Sequence, residues 1–329
     1  MDRLNQYVVK YRRWFVWYSA LLLLILGQKG LAQDARVFRV VPLGVYGGSD
    51  ESNLSCYMAG VSGSNDYVCL DAWTLYAGIR RAIQRGTFQV SEPTVLRDYI
   101  KGYLISHGHL DHVAGLIINS PDDTAKPIYG LGFCLKILQD KYITWESCAN
   151  FGDRGEAPRL DKYRYVSLSE GAEAPLKGTS MYIRAFELSH GNPYKSTAFL
   201  LRHDSAYLLY LGDTGADSIE KSDKLHLLWQ SVVPLVRKGK LKGIFIEVSY
   251  SDAQPLNRLF GHLTPALFCE DMADLGKLAG TNAMRSPPVV ITHIKPFGDN
   301  EKKIQEELEA SNALRLREIF PEQGTLLEF

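Results

Sequence analysis

The sequence lacks an excess of charge of either sign, any internal repeat and any low-complexity linker. Its 37 Lys and Arg residues balance 37 Asp and Glu residues, so no net charge draws the chain toward nucleic acid over long range. Hydrophobic residues make up 46% of the 329 residues, which excludes a disordered, collagen-like or disulfide-dense chain. Because no linker divides residues 33–329, we expect them to form a single domain.

Cysteine is also scarce, and the sequence contains no Cys-x-x-Cys pair. The absence of such pairs excludes a zinc ribbon, and the wide spacing does not outline a disulfide framework. The sequence leaves open the formation of one disulfide if the compartment is oxidising. We interpret the five cysteines mostly as small buried hydrophobic residues, at Cys56, Cys69, Cys134, Cys148 and Cys269.

Residues 1–32 have the pattern of a secretory signal peptide. Basic residues precede an apolar run at 14–26, and the small residues Gly30 and Ala32 fit a cleavage site before Gln33. The run has 13 residues, fewer than the roughly 20 that cross a bilayer as a helix. We therefore expect an exported protein, periplasmic or secreted, that keeps no stable membrane span after cleavage. An uncleaved anchor and a twin-arginine signal are the alternatives.

Strands and helices interleave along the rest of the chain. Leu75, Ile79 and Ile83 recur every four residues and predict a helix that ends at Gly86. Thr264 followed by Pro265 predicts another helix start. Short apolar runs predict strands at 37–41, 66–70, 103–106, 181–186, 206–211, 243–248 and 289–292. This alternation over one long domain predicts a layered α/β or α+β fold.

The most informative motif is His-Gly-His-Leu-Asp-His at residues 107–112, directly after the predicted strand 103–106. Imidazole and carboxylate groups together suit Zn²⁺ and similar divalent metals. Because a strand end fixes the backbone, the following loop can turn several side chains toward one point. We expect His107 and His109 to face one metal ion and Asp111 and His112 to face a second. A histidine-rich loop without metal is the alternative.

Two metal sites need more ligands than this motif offers, and three candidates follow other predicted strands. They are His190, Asp213 and His293, each a lone His or Asp before a glycine or a turn. Any one of them alone could be structural. Together they supply the ligands that the two sites still need.

These segments resemble the metallo-β-lactamase fold superfamily and, within it, the class II cyclic-nucleotide phosphodiesterases. The motif at 107–112, followed by Gly115, an apolar run and Ser120-Pro121, is similar to that family's signature. The resemblance continues at 126–131, 189–191, 196–198, 212–213, 245–250, 260–265, 292–296 and 321–324, and so spans nearly all of residues 33–329. Trp73 departs from the family, which usually has glycine there, and this leaves substrate selectivity open.

The resemblance implies a four-layer αββα sandwich that carries two divalent metal ions, with Zn²⁺ as the expected metal. It implies that one ion is bound by His107, His109 and His190 and the other by Asp111, His112 and His293, with Asp213 as a bridge. Two such ions would outweigh the negative charge of their ligands and would attract a phosphodiester anion, and the resemblance implies a metal-bound hydroxide as the attacking group. The implied reaction is hydrolysis of 3′,5′-cyclic AMP, with cyclic GMP also open, to the nucleoside 5′-monophosphate.

Glu247 and His262 resemble a glutamate–histidine pair in related phosphodiesterases of this fold, including transfer-RNA 3′-processing nucleases. A histidine that a carboxylate orients and keeps protonated can protonate the alkoxide leaving group. We therefore take Asp111, Glu247 and His262 as the catalytic residues. The alternative is that His262 only caps the helix after Thr264.

The remaining candidates concern the surroundings of the site. Asn53 and Trp73 are the candidates for substrate contact, and Trp73 could stack on the base. Asp71 and Thr197 have the character of supporting residues. Other hydrolases of the fold (a lactonase, a thioesterase or a nuclease) and a catalytically silent binding protein are the alternative functions. The lack of a basic arm with aromatic residues argues against a nucleic-acid partner, and homodimer formation is left open.

Overall fold

Two mixed β-sheets of seven strands each dominate the computed structural model, which describes residues 36–329. In chain order the strands are β1 Phe38–Gly44, β2 Cys56–Val61, β3 Tyr67–Leu70, β4 Ile100–Leu104, β5 Lys126–Leu131, β6 Tyr163–Leu168, β7 Glu173–Pro175, β8 Tyr182–Ser189, β9 Lys195–His203, β10 Ala206–Leu211, β11 Leu241–Glu247, β12 Val289–Thr292, β13 Glu318–Ile319 and β14 Leu327–Glu328. The first sheet has the order β14-β1-β2-β3-β4-β5-β6, and the second has the order β13-β12-β11-β10-β9-β8-β7. The predicted signal peptide lies outside the described residues.

Helices lie between many of these strands. In chain order they are α1 Tyr76–Gln84, α2 Glu92–Thr94, α3 Leu110–Asn119, α4 Gly132–Ile137, α5 Asp217–Glu220, α6 Lys224–Arg237, α7 Pro265–Ala279 and α8 Asn300–Ser311. Helices α2 and α4 continue into π-helical turns at Val95–Tyr99 and Leu138–Tyr142, and short 3₁₀ segments occupy Leu256–Arg258 and Thr281–Arg285. No helix within residues 36–329 combines the length and the hydropathy that a membrane crossing requires.

Side chains that alternate along the strands build three apolar cores. In β11, Phe245 points into the core between the sheets, whereas Ile244 and Ile246 pack against the helices outside. Between the sheets, the ring of Tyr57 from β2 lies 5.8 Å from that of Tyr210 in β10 and 5.5 Å from that of Phe245. Helices α1 and α3 cover the first sheet, and α6, α7 and α8 cover the second. The result is the predicted αββα order of layers.

Strand direction brings several strand ends to one edge of the sandwich. Strand β10 pairs in parallel with β11, and β11 pairs in parallel with β12. Strand β9 is antiparallel to both β8 and β10, so β8 ends at the same edge as these three. In the first sheet β4 is parallel to β3 and β5. Loops that follow these carboxyl ends are where open α/β sheets bind ligands.

Most predicted elements are present, with shifted ends. The helix predicted from Leu75 is α1, and it ends before Gly86, whose φ of +78° is left-handed. The strand predicted at 103–106 is wrong in position: β4 ends at Leu104, because the backbone N–H of Ser106 turns to the side chain of Asp71. Thr264 does precede α7, but its hydroxyl makes no capping hydrogen bond.

The cysteines form no disulfide among the described residues, where all five lie. Cys56, Cys69 and Cys134 are fully buried in the core that α1 and α3 cover, as predicted, while Cys148 and Cys269 are half-buried. Burial raises the pKa of the Cys56 and Cys134 thiols well above the usual range. These residues act as small apolar side chains.

Candidate active site

Four side chains from three loops present one ligand atom each to a common point. Nδ1 of His109 lies 3.1 Å from Nε2 of His107 and 3.2 Å from Nε2 of His190. Oδ2 of Asp213 lies 3.8 Å from Nε2 of His107 and 3.7 Å from Nε2 of His190. Ligand atoms about 2.0–2.1 Å from a tetrahedral zinc ion are about 3.3 Å from one another. The donor set and its spacing therefore fit a divalent metal ion.

A second set of ligand atoms adjoins the first. Nε2 of His112 and Nε2 of His293 are 3.2 Å apart, and Oδ2 of Asp111 is 3.3 Å from the latter. Oδ2 of Asp213 is 3.3 Å from both of these imidazole nitrogens. The same carboxylate oxygen thus borders both sets, which is the position that a bridging ligand occupies. The structure brings together all seven residues that the sequence proposed as metal ligands.

Each ligand takes its position from the end of a strand or the start of a helix. His107 and His109 lie in the loop between β4 and α3, and Asp111 and His112 lie in the first turn of α3. His190, Asp213 and His293 follow β8, β10 and β12. His293 has a left-handed φ of +56° and packs on Gly47, where an added Cβ would lie 2.2 Å from the imidazole ring. Only glycine fits beside that ligand.

Burial favours the neutral form of the three imidazoles in the first ligand set, which are those of His107, His109 and His190. It lowers the pKa of His107 well below its usual range, and neighbouring imidazoles add to the effect. Burial likewise lowers the pKa of His190, and together with the charge of His190 it lowers the pKa of His109 to about 4. Neutral imidazole is the form that binds a metal ion, so this set is ready for a metal near neutral pH.

His112 behaves differently. Burial opposes its protonation, but the carboxylates of Asp213, Asp71 and Asp111 outweigh burial and raise its pKa well above the usual range. Burial also opposes ionisation of Asp111 and Asp213, yet the neighbouring imidazoles keep the pKa of both carboxyl groups below the usual range. A metal ion bound by Nε2 of His112 would take the place of the proton that these carboxylates favour there.

Asp71 orients two of the candidate ligands, His107 and His112, through hydrogen bonds. Its side chain accepts hydrogen bonds from the backbone N–H and hydroxyl of Ser106 at 2.7 and 2.8 Å, from the hydroxyl of Tyr210 at 2.7 Å and from Nδ1 of His112 at 2.8 Å. The Ser106 hydroxyl in turn accepts from Nδ1 of His107 at 2.9 Å. These bonds fix Nε2 of both imidazoles as the nitrogen that faces the metal sites. Asp71 therefore has the supporting position that the sequence suggested.

Other ligands are oriented by groups that sequence reasoning missed. Nδ1 of His190 donates to the carbonyl of Gly261 at 2.8 Å. Nδ1 of His293 is 3.0 Å from the hydroxyl of Ser249, which itself donates to Oε2 of Glu247 at 2.6 Å. Ser249 lies in the segment 245–250 that carries the family resemblance, and that segment was the available signal.

Glu247 and His262 are in contact beside the ligand cluster. Nδ1 of His262 donates to Oε1 of Glu247 at 2.7 Å, and Nε2 of His262 lies 2.9 Å from Nζ of Lys295. Because an ammonium group can only donate, Nε2 of His262 is the acceptor in this contact. Lys295 also donates to the hydroxyl of Tyr250 at 3.1 Å. Sequence reasoning did not single out Lys295, although it lies in the segment 292–296 of the resemblance.

These two residues also lie near the metal ligands. Nδ1 of His262 is 3.9 Å from Oδ2 of Asp213, and Glu247, His262, His190 and Asp213 together form a third group with ligand spacing. However, the short hydrogen bond between Glu247 and His262 already occupies Oε1 of the first and Nδ1 of the second. They therefore form a pair beside the metal sites.

The three remaining candidates do not contribute ligand atoms. Asn53 accepts a hydrogen bond from the backbone N–H of Val45, whose carbonyl accepts from the backbone N–H of His293. The hydroxyl of Thr197 donates to the carbonyl of Ser106. Both residues thus support loops that carry ligands.

Trp73 lies elsewhere. It donates from its indole N–H to the carbonyl of Glu51 and lines a cleft of about 510 Å³ with Tyr76 and Ile118. None of the seven candidate ligands lines that cleft. The structure does not bring Trp73 together with the ligand cluster.

Comparison with known proteins agrees with this geometry. The model of the family described as cAMP phosphodiesterases class-II matches residues 38–317. A 3′,5′-cyclic-nucleotide phosphodiesterase from Aliivibrio fischeri is 40% identical over 307 residues, which cover 89% of this chain and 93% of that protein. The cAMP/cGMP-dependent 3′,5′-cAMP/cGMP phosphodiesterase A of Dictyostelium discoideum is 29% identical, over 86% of this chain and 79% of that protein.

Solved structures show the same fold. Unliganded yeast PDE1 matches with a TM-score of 0.80 at 21% identity, over 89% of this chain and 100% of that one. The metallo-β-lactamase fold protein YhfI from Bacillus subtilis matches with a TM-score of 0.58 at 15% identity, over 89% of this chain and 100% of that one. The predicted metallo-β-lactamase type of αββα sandwich is confirmed. Together with the sequence matches, these findings show that the chain belongs to the class-II cAMP phosphodiesterase family.

Proposed function

We propose that the protein hydrolyses 3′,5′-cyclic nucleotides to nucleoside 5′-monophosphates and depends on two divalent metal ions. The observation that carries this proposal is the pair of ligand sets that share Oδ2 of Asp213, at 3.3–3.8 Å from four imidazole nitrogens. Membership of the family supplies the substrate class. Five imidazoles with two carboxylates form a nitrogen-rich donor set, for which we propose Zn²⁺ as the metal.

Metal ions in these sites would supply positive charge at the phosphoryl group and would ionise an attacking water at neutral pH. The protein's own residues then decide how the substrate lies. Asp111 has 26% of its side chain exposed, so its carboxylate reaches the solvent side of the ligand cluster as well as Nε2 of His293. We assign it the role of orienting the attacking water, in line with its place among the predicted catalytic residues.

Hydrogen bonds connect Glu247, His262 and Lys295 into a row, and we assign to this row the protonation of the leaving group. Glu247 fixes the proton of His262 on Nδ1, and Lys295 holds a proton against Nε2. When the bond from phosphorus to the 3′ oxygen breaks, that oxygen takes the proton shared by Nζ of Lys295 and Nε2 of His262. In this proposal the proton donor is the pair of His262 and Lys295, and not a His262 imidazolium alone. The reason is that Lys295 supplies an ammonium partner that sequence analysis did not identify.

The identity of the product tests the proposal. Purified protein is freed of metal, reloaded with Zn²⁺ and incubated with cyclic AMP or cyclic GMP, and the products are separated by chromatography. We expect 5′-monophosphate only with metal present. Formation of 3′-monophosphate would contradict the assigned leaving group. Turnover of a lactone or a thioester, without turnover of either cyclic nucleotide, would assign the protein to another activity of the fold.

We also propose that the protein is exported and that the mature chain begins near Gln33. The support is the basic segment, the 13-residue apolar run and the small residues before Gln33 in the sequence. N-terminal sequencing of protein from the native host is the test. Recovery of intact Met1 from a soluble cytoplasmic fraction would contradict export.

A further inference from the structure

Two exposed phenylalanine side chains lie on loops beside the candidate active site. Phe297 is 86% exposed and Phe260 is 67% exposed. The leucines that flank Phe260, Leu259 and Leu263, are buried to 1% and 0% exposure. The turn around Phe260 therefore packs these two leucines inward and leaves the phenyl ring in water.

The two loops that carry these rings meet at the site. Phe260 is two residues before His262, and Phe297 is two residues after Lys295. Nζ of Lys295 and Nε2 of His262 are only 2.9 Å apart. The backbone N–H of Phe297 donates to the carbonyl of Lys295 at 2.8 Å, so a tight turn holds the backbone of residue 297 close to that of the lysine.

The Phe260 turn is tied to a metal ligand as well. The carbonyl of Gly261 accepts the hydrogen bond from Nδ1 of His190 at 2.8 Å. The carbonyl oxygen of Phe260 lies 3.5 Å from the position that a Cβ would take on Gly191. Movement of this turn would therefore disturb His190. The backbone that carries the Phe260 ring is thus held in place by its contacts with the His190 loop.

The backbone at Phe260 is itself strained. Its φ of +55° is left-handed, a conformation that glycine and asparagine adopt readily and bulky residues rarely adopt. Position 260 thus holds a residue that is unfavourable for both its backbone and its exposure. Such residues persist where a contact with a ligand repays the strain.

We propose that Phe260 and Phe297 bind the nucleobase of the cyclic nucleotide. This inference rests on the proposed function, since it assigns a base-binding role next to the proposed leaving-group residues. Phenyl rings stack on any base through its π-face, without reading its hydrogen-bonding edge. The site would therefore accept both adenine and guanine, and Trp73 would take no part.

Steady-state kinetics with two substrates test the proposal. One substrate is cyclic AMP, and the other is 1-O-methyl ribose 3′,5′-cyclic phosphate, which has the same cyclic diester and no base. The variants are Phe260→Asn and Phe297→Ser, with Tyr76→Ala as a control at an exposed aromatic residue outside the ligand cluster. Stacking on one aromatic ring changes binding by about 5- to 150-fold.

We expect each Phe variant to raise KM for cyclic AMP at least about fivefold, with kcat within about twofold and with an unchanged KM for the base-free substrate. Tyr76→Ala should leave all of these values unchanged. Phe260→Asn should melt at or above the wild-type temperature, because asparagine tolerates the left-handed backbone. That melting result separates loss of stacking from loss of folding.

Three outcomes would overturn the inference. Equal rises in KM for both substrates would mean that the rings contact the ribose phosphate or shape the loops. An unchanged KM for cyclic AMP, together with a wild-type dimer in light scattering that the variants dissociate, would make the rings a contact between two copies of the chain. Failure of the wild-type protein to hydrolyse cyclic AMP would overturn the proposed function and this inference with it, whereas the first two outcomes leave the proposed function intact.

Discussion

Nδ1 of His112 donates to Oδ2 of Asp71 at 2.8 Å, and both groups are buried beneath the ligand cluster. The same carboxylate oxygen accepts from the hydroxyls of Ser106 and Tyr210 at 2.8 and 2.7 Å. Asp71 therefore fixes the orientation of a metal ligand without touching the metal position. Partners of this kind commonly alter metal affinity by about 10- to 100-fold when they are replaced.

The first prediction is that Asp71→Asn weakens metal binding at the set formed by Asp111, His112 and His293. The asparagine keeps the volume but removes the charge that holds His112, so we expect an affinity about 10- to 100-fold lower at this set. Competition with a chromophoric chelator would measure it. Tyr210→Phe is the matched control, because it removes one hydrogen bond to Asp71 and leaves the imidazole contact. Equal losses in both variants would show a general disturbance of packing.

The second prediction concerns Asp213, whose Oδ2 borders both ligand sets. Asp213→Ala should reduce the metal content from about two ions per chain to less than one and lower activity by about 10³-fold or more, since both sites lose a ligand. Asp111→Ala, which affects one set, should retain about one ion. Elemental analysis of the wild-type protein and of both variants measures the number of metal ions per chain. Full metal content in Asp213→Ala would contradict the bridging position.

The third prediction separates proton donation from binding. His262→Ala should lower kcat on cyclic AMP by about 10²- to 10⁴-fold with metal content intact. The loss should be much smaller on a phosphodiester with a p-nitrophenolate leaving group, which departs without a proton. Equal losses on both substrates would favour a structural role for His262.

Lys295 should belong to the same unit, since its Nζ lies 2.9 Å from Nε2 of His262. Lys295→Met keeps the length of the side chain and removes the ammonium group. We expect the same dependence on the leaving group, and we expect the double variant to lose no more than His262→Ala alone, because groups that act together are not additive. Additive losses would mean that Lys295 acts separately on the phosphoryl group.

Local sequence patterns were enough to predict the layered fold and to select the seven candidate ligands that the structure brings together. Apolar runs alternate with helical spacing, and His190, Asp213 and His293 each follow a strand that such a run predicts. Strands β2, β5, β6 and β9 were not predicted, and β5 contains Pro127, a residue typical of an edge or a turn. Strand β4 ends earlier than predicted, because Asp71 draws Ser106 out of the strand.

Contacts between distant loops could not be read from the sequence. Lys295 and His262 are 33 positions apart, and only the packing of two loops brings them to 2.9 Å. The exposure of Phe260 likewise depends on a left-handed backbone that its sequence does not favour. Trp73 shows the converse, since it was a candidate for substrate contact and its side chain lines a cleft that none of the seven candidate ligands lines. Periodicity specifies which face of an element is buried, but loop conformation decides which side chains meet.

The final prediction uses a buried acid outside the active site. Asp271 in α7 is 8% exposed, and its Oδ2 has no hydrogen-bond partner among the described residues. Burial raises the pKa of Asp271 from 3.8 to about 8, the charges of Asp217 and Asp274 add to the rise, and the indole N–H of Trp229 opposes it. The exposed neighbour Glu270 raises the pKa slightly further.

This shift links stability to pH with a definite sign. Between pH 3.8 and about 8 the folded protein holds a proton on Asp271 that the unfolded chain has released, so the stability contributed by the neutral acid is lost as pH rises. Asp271→Asn stays neutral and should gain stability relative to wild type by about 2–4 kcal/mol from pH 5 to pH 8. Urea unfolding of both proteins at the two pH values measures this change, with Asp122→Asn, at an exposed position outside the surroundings of Asp271, as control. A difference between Asp271→Asn and wild type that is the same at pH 5 and pH 8 would show that Asp271 is already ionised in the folded protein at pH 5.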